Sequence, residues 1–437
     1  MIRSLYLGCC VLGLLPAVSW SASENLSPQQ FEVIEQARQA EREPHFGLSV
    51  ELRERATYLS NPEFDGDAED DGWFWTQRLS VTGDFRANDW LGGRLTLLSA
   101  VQNGIADSPI EENVLDAQEA FLDIGTPERA SLRVGRQELV LGSQRLIGSR
   151  AGTAVKRTWD GVRGTLNRVS WRLDALLLRE VRVTMDGVFN DDSHDGAELA
   201  GIYATGGPAA LPGRFDAYYL RTRFEDRATI EGVADQDRHS IGLRYFGEAE
   251  AWFWNWEAFY QFGDHGRADI SAWSLAGNTG YRFREQPWQP EYLLSINVSS
   301  GDRQTGDGKL GTFDALFARG SYFSELALLA PSNFFNVHQY LRVQPRRSVG
   351  AFVDLNVYWR TETADGVYAN PTRLLRPPAD SDERLVNISL SAGLEWTPND
   401  TVFLSLLYTH AAPQQFLEET GSAEDINFLE FTLRLRF

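Results

Sequence analysis

The sequence predicts an all-β protein, an 18-stranded antiparallel transmembrane β-barrel with short periplasmic turns and longer extracellular loops. Residues 426–437 alternate apolar and polar side chains up to a C-terminal Phe437, as the closing strand of an outer-membrane barrel does. Strand-like segments recur along the chain, separated alternately by short turns and long polar loops. Beyond the N-terminus there is no run of about 18 apolar residues, so a membrane-embedded form of this chain must cross with strands.

The N-terminal region predicts export. Residues 1–22 contain Arg3, an apolar stretch from Leu5 to Ala17 and then small residues, which are the three parts of a secretory signal peptide. We therefore expect Sec-dependent export and localisation in the outer membrane of a Gram-negative cell. Residues 23–45 form a polar leader that could be a short periplasmic helix, a small lumenal plug or a disordered segment. Residues 46–437 form the barrel.

Composition excludes several classes of site and partner. Cys9 and Cys10 are the two cysteines and lie in the signal peptide, so the mature chain has no disulfide, thiolate metal site or thiol nucleophile. The formal net charge of −20 argues against nucleic acid as a partner. Lysine occurs only at Lys156 and Lys309, and the other basic residues are arginines, which suit bidentate binding of carboxylates. A GC-rich genome or a salt-adapted host would give the same bias.

Eighteen segments have strand character. They span 46–58, 72–86, 90–102, 114–125, 129–140, 157–166, 170–183, 197–206, 214–225, 238–247, 251–263, 268–283, 291–301, 334–345, 349–361, 384–396, 401–411 and 426–437. Polar loops are expected at 59–71, 103–113, 141–156, 185–196, 226–237, 302–333, 362–383 and 412–425. If both termini lie on the side of the short turns, eighteen strands need nine loops, and 264–267 supplies the ninth.

Aromatic residues cluster near the predicted strand ends. Examples are Trp73, Trp90, Trp171, Trp252 and Trp396. Girdles of this kind mark both membrane interfaces of a barrel. Core packing in a soluble β protein would use the same residues.

The predicted inner face is rich in arginine. Assigning the smoother apolar face of each strand to lipid places the other face in the lumen. The arginines on that face are Arg53, Arg55, Arg78, Arg86, Arg94, Arg133, Arg163, Arg172, Arg221, Arg223, Arg244, Arg360, Arg434 and Arg436, and the acids are fewer, chiefly Asp174, Glu395 and Glu430. Rings of arginine in a pore favour anions. The alternative for each inward arginine is a structural ion pair within the wall.

Three blocks of sequence resemble the alginate-export outer-membrane porin family. The first is Gly135-Arg-Gln-Glu-Leu-Val-Leu-Gly-Ser-Gln-Arg-Leu-Ile-Gly148, followed by Arg157-Thr-Trp-Asp-Gly-Val-Arg163. The others are Phe313-Asp-Ala-Leu-Phe-Ala-Arg-Gly320 with Tyr322-Phe323, and Asp354-Leu-Asn-Val-Tyr-Trp-Arg360 leading to Asp365-Gly-Val-Tyr368. The resemblance covers roughly 46–437. It implies an eighteen-stranded barrel whose Arg-rich, partly acid-balanced constriction passes a secreted polyuronate.

By position in these blocks, the resemblance implies a set of residues that line or shape the path. They are Arg136, Arg145, Arg157, Asp160, Arg163, Asp354 and Arg360, and the inner-face pattern adds Arg78 and Arg94. Strict alternation places Arg136 with Leu132 and Val134, so Arg136 reaches the lumen only if Gly135 permits a bulge. Arg145 falls in a loop that either folds into the pore or is pinned to its wall.

These observations predict passive, anion-selective export of an acidic polysaccharide such as an alginate-like polyuronate. The alternative is a general or substrate-specific diffusion porin for small anionic sugars. Expected partners are outer-membrane lipid, the anionic polysaccharide or sugar acid, and periplasmic export proteins. No cofactor or metal is expected, because the histidines lack metal-ligand spacing. An enzyme is not expected either: His239 and Ser240 point to opposite faces of one strand and cannot form a catalytic dyad.

Overall fold

The computed structural model describes residues 44–68, 70–104, 108–208, 211–370 and 372–437. The signal peptide predicted at 1–22 and nearly all of the leader predicted at 23–45 lie outside these residues. The first strand begins at His45, one residue before the predicted start of the barrel. None of the helices in the described ranges is long and apolar enough to cross a membrane.

The strands, in chain order, are β1 (His45–Leu59), β2 (Gly72–Asn88), β3 (Leu91–Asn103), β4 (Asn113–Thr126), β5 (Ala130–Glu138), β6 (Thr158–Asn167), β7 (Trp171–Glu180), β8 (Glu198–Gly206), β9 (Arg214–Thr229), β10 (Gly232–Ala249), β11 (Trp252–His265), β12 (Ala268–Arg282), β13 (Glu291–Ser299), β14 (Lys309–Leu310), β15 (Phe335–Arg346), β16 (Val349–Trp359), β17 (Val367–Ala369), β18 (Arg373–Arg376), β19 (Leu385–Trp396), β20 (Val402–Pro413) and β21 (Ile426–Arg436). One short helix, α1 (Gln415–Thr420), precedes β21.

Eighteen of the described strands close into an antiparallel barrel. Each pairs with the next along the chain, and β21 pairs back onto β1, with Glu51 opposite Arg436 and Leu59 opposite Phe428. The three strands outside this ring lie in loops: β14 extends β12 by a two-residue parallel pairing, and β17 and β18 form a small hairpin. The predicted fold and all eighteen predicted strand positions are confirmed.

One predicted loop is wrong. The acidic segment 226–237 was expected to be a polar loop, but β9 continues to Thr229, β10 starts at Gly232, and only two residues turn between them. The ladder runs up to this turn with one shift between Ala234 and Gln236. Charged residues are tolerated here because main-chain hydrogen bonds hold a strand whose side chains lie beyond the apolar belt.

Alternation gives the barrel an apolar outer face. Leu177, Leu243 and Leu390 are 69 %, 56 % and 52 % exposed and point outward. Their neighbours along the strands, such as Leu178 and Arg244, are buried inside. This is the arrangement expected where the outer face meets lipid, because successive strand residues point to opposite sides.

Two long loops fold back into the barrel. Leu139, Leu146 and Ile147, which follow β5, are buried together with Phe313 and Phe317, which follow β13. They pack against inner-face side chains of the wall, which include Leu176, Leu199, Leu220, Phe259 and Ala272. These loops therefore occupy part of the lumen.

A second apolar cluster covers another part of the barrel end that carries the long loops. Phe64 from the loop after β1 is buried against Val386, Ala411 and Phe416, the last of which lies in α1. Burial of these side chains ties the loop, the helix and the strand ends into one apolar cluster. Near the short turns at the other end, which we call the turn end, a smaller buried cluster is formed by Phe253, Leu293 and Tyr340.

Candidate functional site

Four inward arginines near the turn end form a surface that we call the basic wall. Its members are Arg94 on β3, Arg133 on β5, Arg163 on β6 and Arg172 on β7. Arg133 lies directly opposite Arg163 in the β5–β6 ladder. The sequence predicted all four to be inward, and alternation with lipid-facing residues such as Leu132 and Leu177 places them there.

Each arginine of the basic wall is held by a carboxylate. Arg133 binds Asp123 through two hydrogen bonds of 2.8 Å each. Arg163 and Arg172 share Asp174, with Nε to Oδ distances of 2.9 Å from both. These are charge-assisted pairs, which fix the orientation of the guanidinium planes.

Two of the carboxylates that hold the basic wall are much less accessible than their arginines. The side chain of Arg172 is 39 % exposed, against 5 % for its partner Asp174. Arg94 is also 39 % exposed; it bonds Asp84, which is 37 % exposed, at 2.7 Å and Glu119, which is 8 % exposed, at 3.3 Å. A solute in the lumen would therefore meet all four guanidinium groups but, of the carboxylates, chiefly Asp84 and Asp123.

A second surface, which we call the packed wall, consists of the inner faces of β7 to β12 and the segments 139–149 and 313–318 that cover them. Here the charged side chains are buried away from water. Glu257 on β11 accepts hydrogen bonds from Arg145 at 3.0 Å and from the hydroxyl of Tyr218 at 2.8 Å. Nearby, Arg244 binds Asp216 at 2.9 Å. Water is excluded, so these charges stabilise the wall and the loop on it.

Arg145 is pinned to the packed wall. Besides Glu257, it donates to the side chain and the main-chain carbonyl of Asn255, at 3.4 and 3.2 Å. Its side chain is 1 % exposed. Of the two roles considered for this residue, the geometry matches the anchor for the loop.

Arg136 and Asp160 lie where β4 and β5 separate. The two strands pair only up to Ala120 and Arg136. Arg136 donates to Asp160 on β6 at 2.9 Å and to Asp116 on β4 at 3.2 Å. It also donates to the carbonyl of Asp191, at 2.9 Å, in the loop after β7 that runs along the free edge of β4. Arg136 thus joins three parts of the wall.

The bulge considered at Gly135 is absent. The ladders of β5 with β4 and with β6 run through this residue without a shift. Gly135 nevertheless has φ +123°, and a Cβ there would lie 2.2 Å from the carbonyl oxygen of Ala120. Glycine is required because no other residue combines this conformation with such a close approach.

Arg157 and Arg360 are buried loop anchors. Arg157 pairs with Glu180 at 3.0 Å and donates to the carbonyl of Phe317 at 3.0 Å, which ties the two lumenal loops together. Arg360 is 1 % exposed and donates to the carbonyls of Glu383 and Thr363, at 2.6 and 2.8 Å. Neither guanidinium faces open lumen.

Arg78 and Asp354 are inward and paired. Arg78 on β2 binds Glu51. Asp354 on β16 lies 2.7 Å from Nε2 of His338 on β15. The lumenal residue Glu325 lies close to this pair: burial, and then the charge of Asp354, raises the pKa of its carboxyl to about 8. Protonated Glu325 can therefore pack beside a second carboxylate at neutral pH.

Two predicted inward arginines face outward. Arg221 and Arg223 on β9 pair with Asp237 on the outer side, while Leu220 and Thr222 are buried in the lumen. The assignment failed because the inner face of β9 is itself apolar where a loop covers it. For the same reason sequence reasoning missed inner carboxylates, among them Glu119, Asp216 and Glu257. Asp216 and Glu257 each lie two positions before a buried aromatic residue on the same strand face, Tyr218 and Phe259. This alternation was the sequence signal that could have placed them on the inner face.

Among the described residues, no metal-binding cluster accompanies these surfaces. In the described parts of the chain, no group of three His, Asp or Glu side chains is placed to hold a metal ion. His239 lies on the outer face and contacts Tyr219 at 2.7 Å, whereas Ser240 is buried on the inner face. The predicted separation of this pair is confirmed.

Three solved structures have a similar fold. OccK11 (OpdR) of Pseudomonas aeruginosa is 15 % identical, with 90 % of this chain and 96 % of that chain covered and a TM-score of 0.59. OccK2 (OpdF) of the same organism, solved with glucuronate, is 11 % identical, with 90 % and 98 % covered and a TM-score of 0.60. A BenF-like porin from Pseudomonas fluorescens Pf-5 is 11 % identical, with 90 % and 99 % covered and a TM-score of 0.60. No curated protein matches this chain in sequence.

The family comparison agrees with the residues that carry the resemblance. The model of the alginate export family matches residues 45–385, which is most of the chain and includes all three blocks. The barrel, its apolar outer face and this match together assign the compartment and the class. The chain belongs to the alginate export family and is a porin of the Gram-negative outer membrane.

Proposed function

We propose that this porin is anion-selective and passively exports an acidic polysaccharide of the alginate-like polyuronate class. The basic wall carries the proposal: its guanidinium groups are 16–39 % exposed, and two of the carboxylates that hold them, Asp174 and Glu119, are only 5 % and 8 % exposed. A uronate carboxylate matches a guanidinium in charge and in bidentate geometry. Passive movement requires no chemistry, so no catalytic residue is invoked.

Electrostatics favour anions in such a lumen. Fixed charges in a narrow passage with low-dielectric walls focus the field and raise the local concentration of counter-ions. The paired carboxylates Asp84, Glu119, Asp123 and Asp174 equal the four arginines in number and reduce the net attraction. A polyanion can then enter and still leave, because conduction requires binding that is favourable but weak at each site.

A second candidate is diffusion of small anionic sugars. The segments 139–149 and 313–318 fold inward and occupy lumen that a polymer would otherwise use. OccK2, which shares the fold, was solved with glucuronate, a single sugar acid. Both candidates place carboxylated sugars on the basic wall and differ in the length of the solute.

The orientation and delivery of cargo complete the proposal. Residues 1–22 would direct Sec export, and the mature barrel would place its short turns in the periplasm and its long loops outside the cell. Residues 23–45 would then lie in the periplasm or lumen, where periplasmic export partners deliver the polymer.

Planar-bilayer recording tests this function. We expect the reversal potential in a KCl gradient to show preference for chloride, and polyuronate to block the current while neutral dextran of similar size does not. Cation preference without block by polyuronate would overturn the proposal. Block by oligomers but not by glucuronate favours the export of polymer, and the reverse favours the second candidate.

Neutralising the basic wall connects this function to named residues. The triple variant Arg94→Gln, Arg133→Gln, Arg172→Gln should lower the anion-to-cation permeability ratio severalfold, because it removes three exposed lumenal charges. Arg179→Gln is the matched control: Arg179 is also ion-paired and 42 % exposed, but it lies on the outer face. Unchanged selectivity in the triple variant would contradict the role of the basic wall.

A further inference from the structure

A polar pair lies on the outer face of the barrel. Glu54 on β1 has a buried, inward residue on either side of it in the chain, and so does Gln77 on β2, so both side chains point outward. The two residues are directly opposite each other in the β1–β2 ladder, and the amide of Gln77 donates a hydrogen bond to the carboxylate of Glu54. Both side chains are half-buried.

Aromatic residues bracket this pair on both sides. In the same ladder, Tyr58 lies opposite Trp73 towards the loops, and Phe46 lies opposite Phe85 towards the turn end. Glu54 comes four residues before Tyr58 and eight residues after Phe46. Aromatic girdles mark the two membrane interfaces of a barrel, so the pair lies between them, at the depth where the outer face meets lipid.

The outward positions around the pair are apolar. Its neighbours along the two strands and across the ladders are Leu52, Ala56, Trp75, Leu79, Val101 and Leu433. Trp75, Leu79 and Val101 are 39 %, 42 % and 44 % exposed. Ionisable residues at membrane depth are rare and usually face protein or water, because a charge in contact with lipid is unfavourable. A carboxylate in these surroundings therefore indicates that something other than lipid covers it.

The pair has hydrogen-bonding capacity that its own bond does not use. A carboxylate has two acceptor oxygens, and a primary amide has two N–H donors and an acceptor oxygen. The bond between Glu54 and Gln77 uses one oxygen and one N–H, and no other hydrogen bond or ion pair joins either side chain to a residue in the described ranges. The remaining donor and acceptors need a partner from outside the chain, since lipid tails offer none.

A second copy of this chain offers the matching groups. A two-fold axis along the membrane normal exchanges left and right on the contact face, so the carboxylate of one copy would meet the amide of the other. The two residues lie on neighbouring strands, about 4.8 Å apart, which is within side-chain reach. Because one patch supplies both the donor and the acceptor, it is self-complementary, as an isologous interface requires.

We propose that the outer face of β1 and β2 is the interface of a homodimer, in which Glu54 of each copy accepts a hydrogen bond from Gln77 of the other. Polar groups of this kind hold membrane-embedded segments together where the hydrophobic effect does not. The exposed apolar side chains around the pair pack against the same side chains of the second barrel. This inference does not depend on which solute passes the pore.

Sedimentation equilibrium in density-matched detergent tests the interface. The wild type should show an equilibrium between monomer and dimer. The double variant Glu54→Leu, Gln77→Leu should raise the dimer dissociation constant about tenfold, equivalent to about 1.4 kcal/mol, because two hydrogen bonds between the copies are lost. Leucine suits a lipid-facing position, so the variant should keep the heat-modifiable mobility and the conductance of the wild type.

Gln339→Leu is the matched control. Gln339 is also an outward amide, on β15, but it accepts a hydrogen bond from the hydroxyl of Tyr292, at 3.1 Å, and has no carboxylate beside it in that bond. This variant should leave the dissociation constant unchanged. An equal loss of dimer in the control and in the double variant would show a general effect of lipid-facing polarity and would overturn the inference.

Cross-linking in lipid bilayers locates the surface. Ala56→Cys, beside the pair on the outer face of β1, should be joined between copies by a short bis-maleimide, whereas Leu355→Cys, opposite Gln339 in the β15–β16 ladder, should not. A monomeric wild type, or a dimer that persists without Glu54 and Gln77, would overturn the inference. A monomer with a bound lipid that the double variant loses would also overturn it, since lipid would then be the occupant. Ion selectivity, which tests the proposed function, is measured independently of these results.

Discussion

The packed wall and a row of three arginines where the barrel closes use the same side chain for different purposes. We call this set, Arg434, Arg53 and Arg78, which lie opposite one another on β21, β1 and β2, the arginine row. On the packed wall, Arg145 and Arg244 lie against Glu257 and Asp216, and these four side chains are 1–4 % exposed. In the row, Arg53 and Arg434 lie beside another arginine and face carbonyls or an aromatic ring. Where each cation has a carboxylate, arginine is structural. Where none lies within ion-pairing distance, as at Arg53, more distant carboxylates such as Glu111 and Glu430 and main-chain carbonyls surround the cation instead.

The basic wall lies between these two cases. Its arginines are paired, yet they remain 16–39 % exposed; Asp174 and Glu119 are more deeply buried than the arginines they hold, whereas Asp84 and Asp123 are about as exposed as theirs. Counting inward arginines therefore overstates the charge that a solute meets. What matters is how much of each guanidinium remains exposed to the lumen once its carboxylate partner is bound.

The largest expected effect is on the packed wall. Glu257→Gln leaves Arg145 without its carboxylate in a site from which water is excluded, and should lower the free energy of unfolding by about 3–5 kcal/mol. Thermal unfolding in detergent, followed by circular dichroism or by heat-modifiable mobility, measures the change. Glu285→Gln, in an exposed turn, is the control and should leave the unfolding temperature unchanged. Equal stability of both variants would show that the packed wall is not held by this network.

A smaller, pH-dependent effect is expected at Glu325. Its pKa in the fold is raised from 4.5 to about 8, so the folded state binds a proton more tightly than the unfolded state. The contribution of Glu325 to the free energy of unfolding is therefore fully present below about pH 4.5 and is lost as the pH rises towards 8. Asp354, His338, Arg319 and Glu395 all contribute to its surroundings.

Glu325→Gln should remove this component. The variant should match the wild type in unfolding temperature near pH 4.5 and exceed it at pH 8, because a neutral amide cannot ionise. Identical pH profiles for the two proteins would contradict the raised pKa. Glu418→Gln, on the exposed side of α1, controls for the loss of one acidic group elsewhere.

The smallest expected effect is on the arginine row. Arg434→Gln removes a contact of 4.5 Å with the ring of Phe403 but also relieves repulsion from Arg53, so the free energy of unfolding should change by less than about 1 kcal/mol in either direction. Measured beside Glu257→Gln, this separates the two regions directly. A loss as large as that of Glu257→Gln would mean that the row is structural, and the comparison would fail.

Much of the fold could be predicted from local pattern. Period-two alternation, turn residues and a terminal Phe437 give the strand number and order, because these signals depend only on neighbouring residues. The error at 226–237 arose because an acidic strand that extends beyond the lipid looks like a loop in the sequence. The inward assignment of Arg221 and Arg223 failed because a lumen filled by loops has apolar positions on its inner face.

The site was less predictable. Sequence placed Arg94, Arg163 and Arg172 inward, but not their exposure relative to Asp174 or Glu119. It placed Arg360 in the path, whereas the fold buries this residue among loop carbonyls. Contacts of this kind join residues far apart in the chain, and no periodicity records them.

By itself, the amino-acid sequence determined that this chain has one face for lipid and one for water, how many times it crosses, and that its inward cations are arginines. Only the tertiary structure decided which of those cations retain uncompensated charge. The physical reason is that alternation is a property of single strands, whereas neutralisation depends on which side chain or carbonyl the register and the inward loops bring within hydrogen-bonding distance.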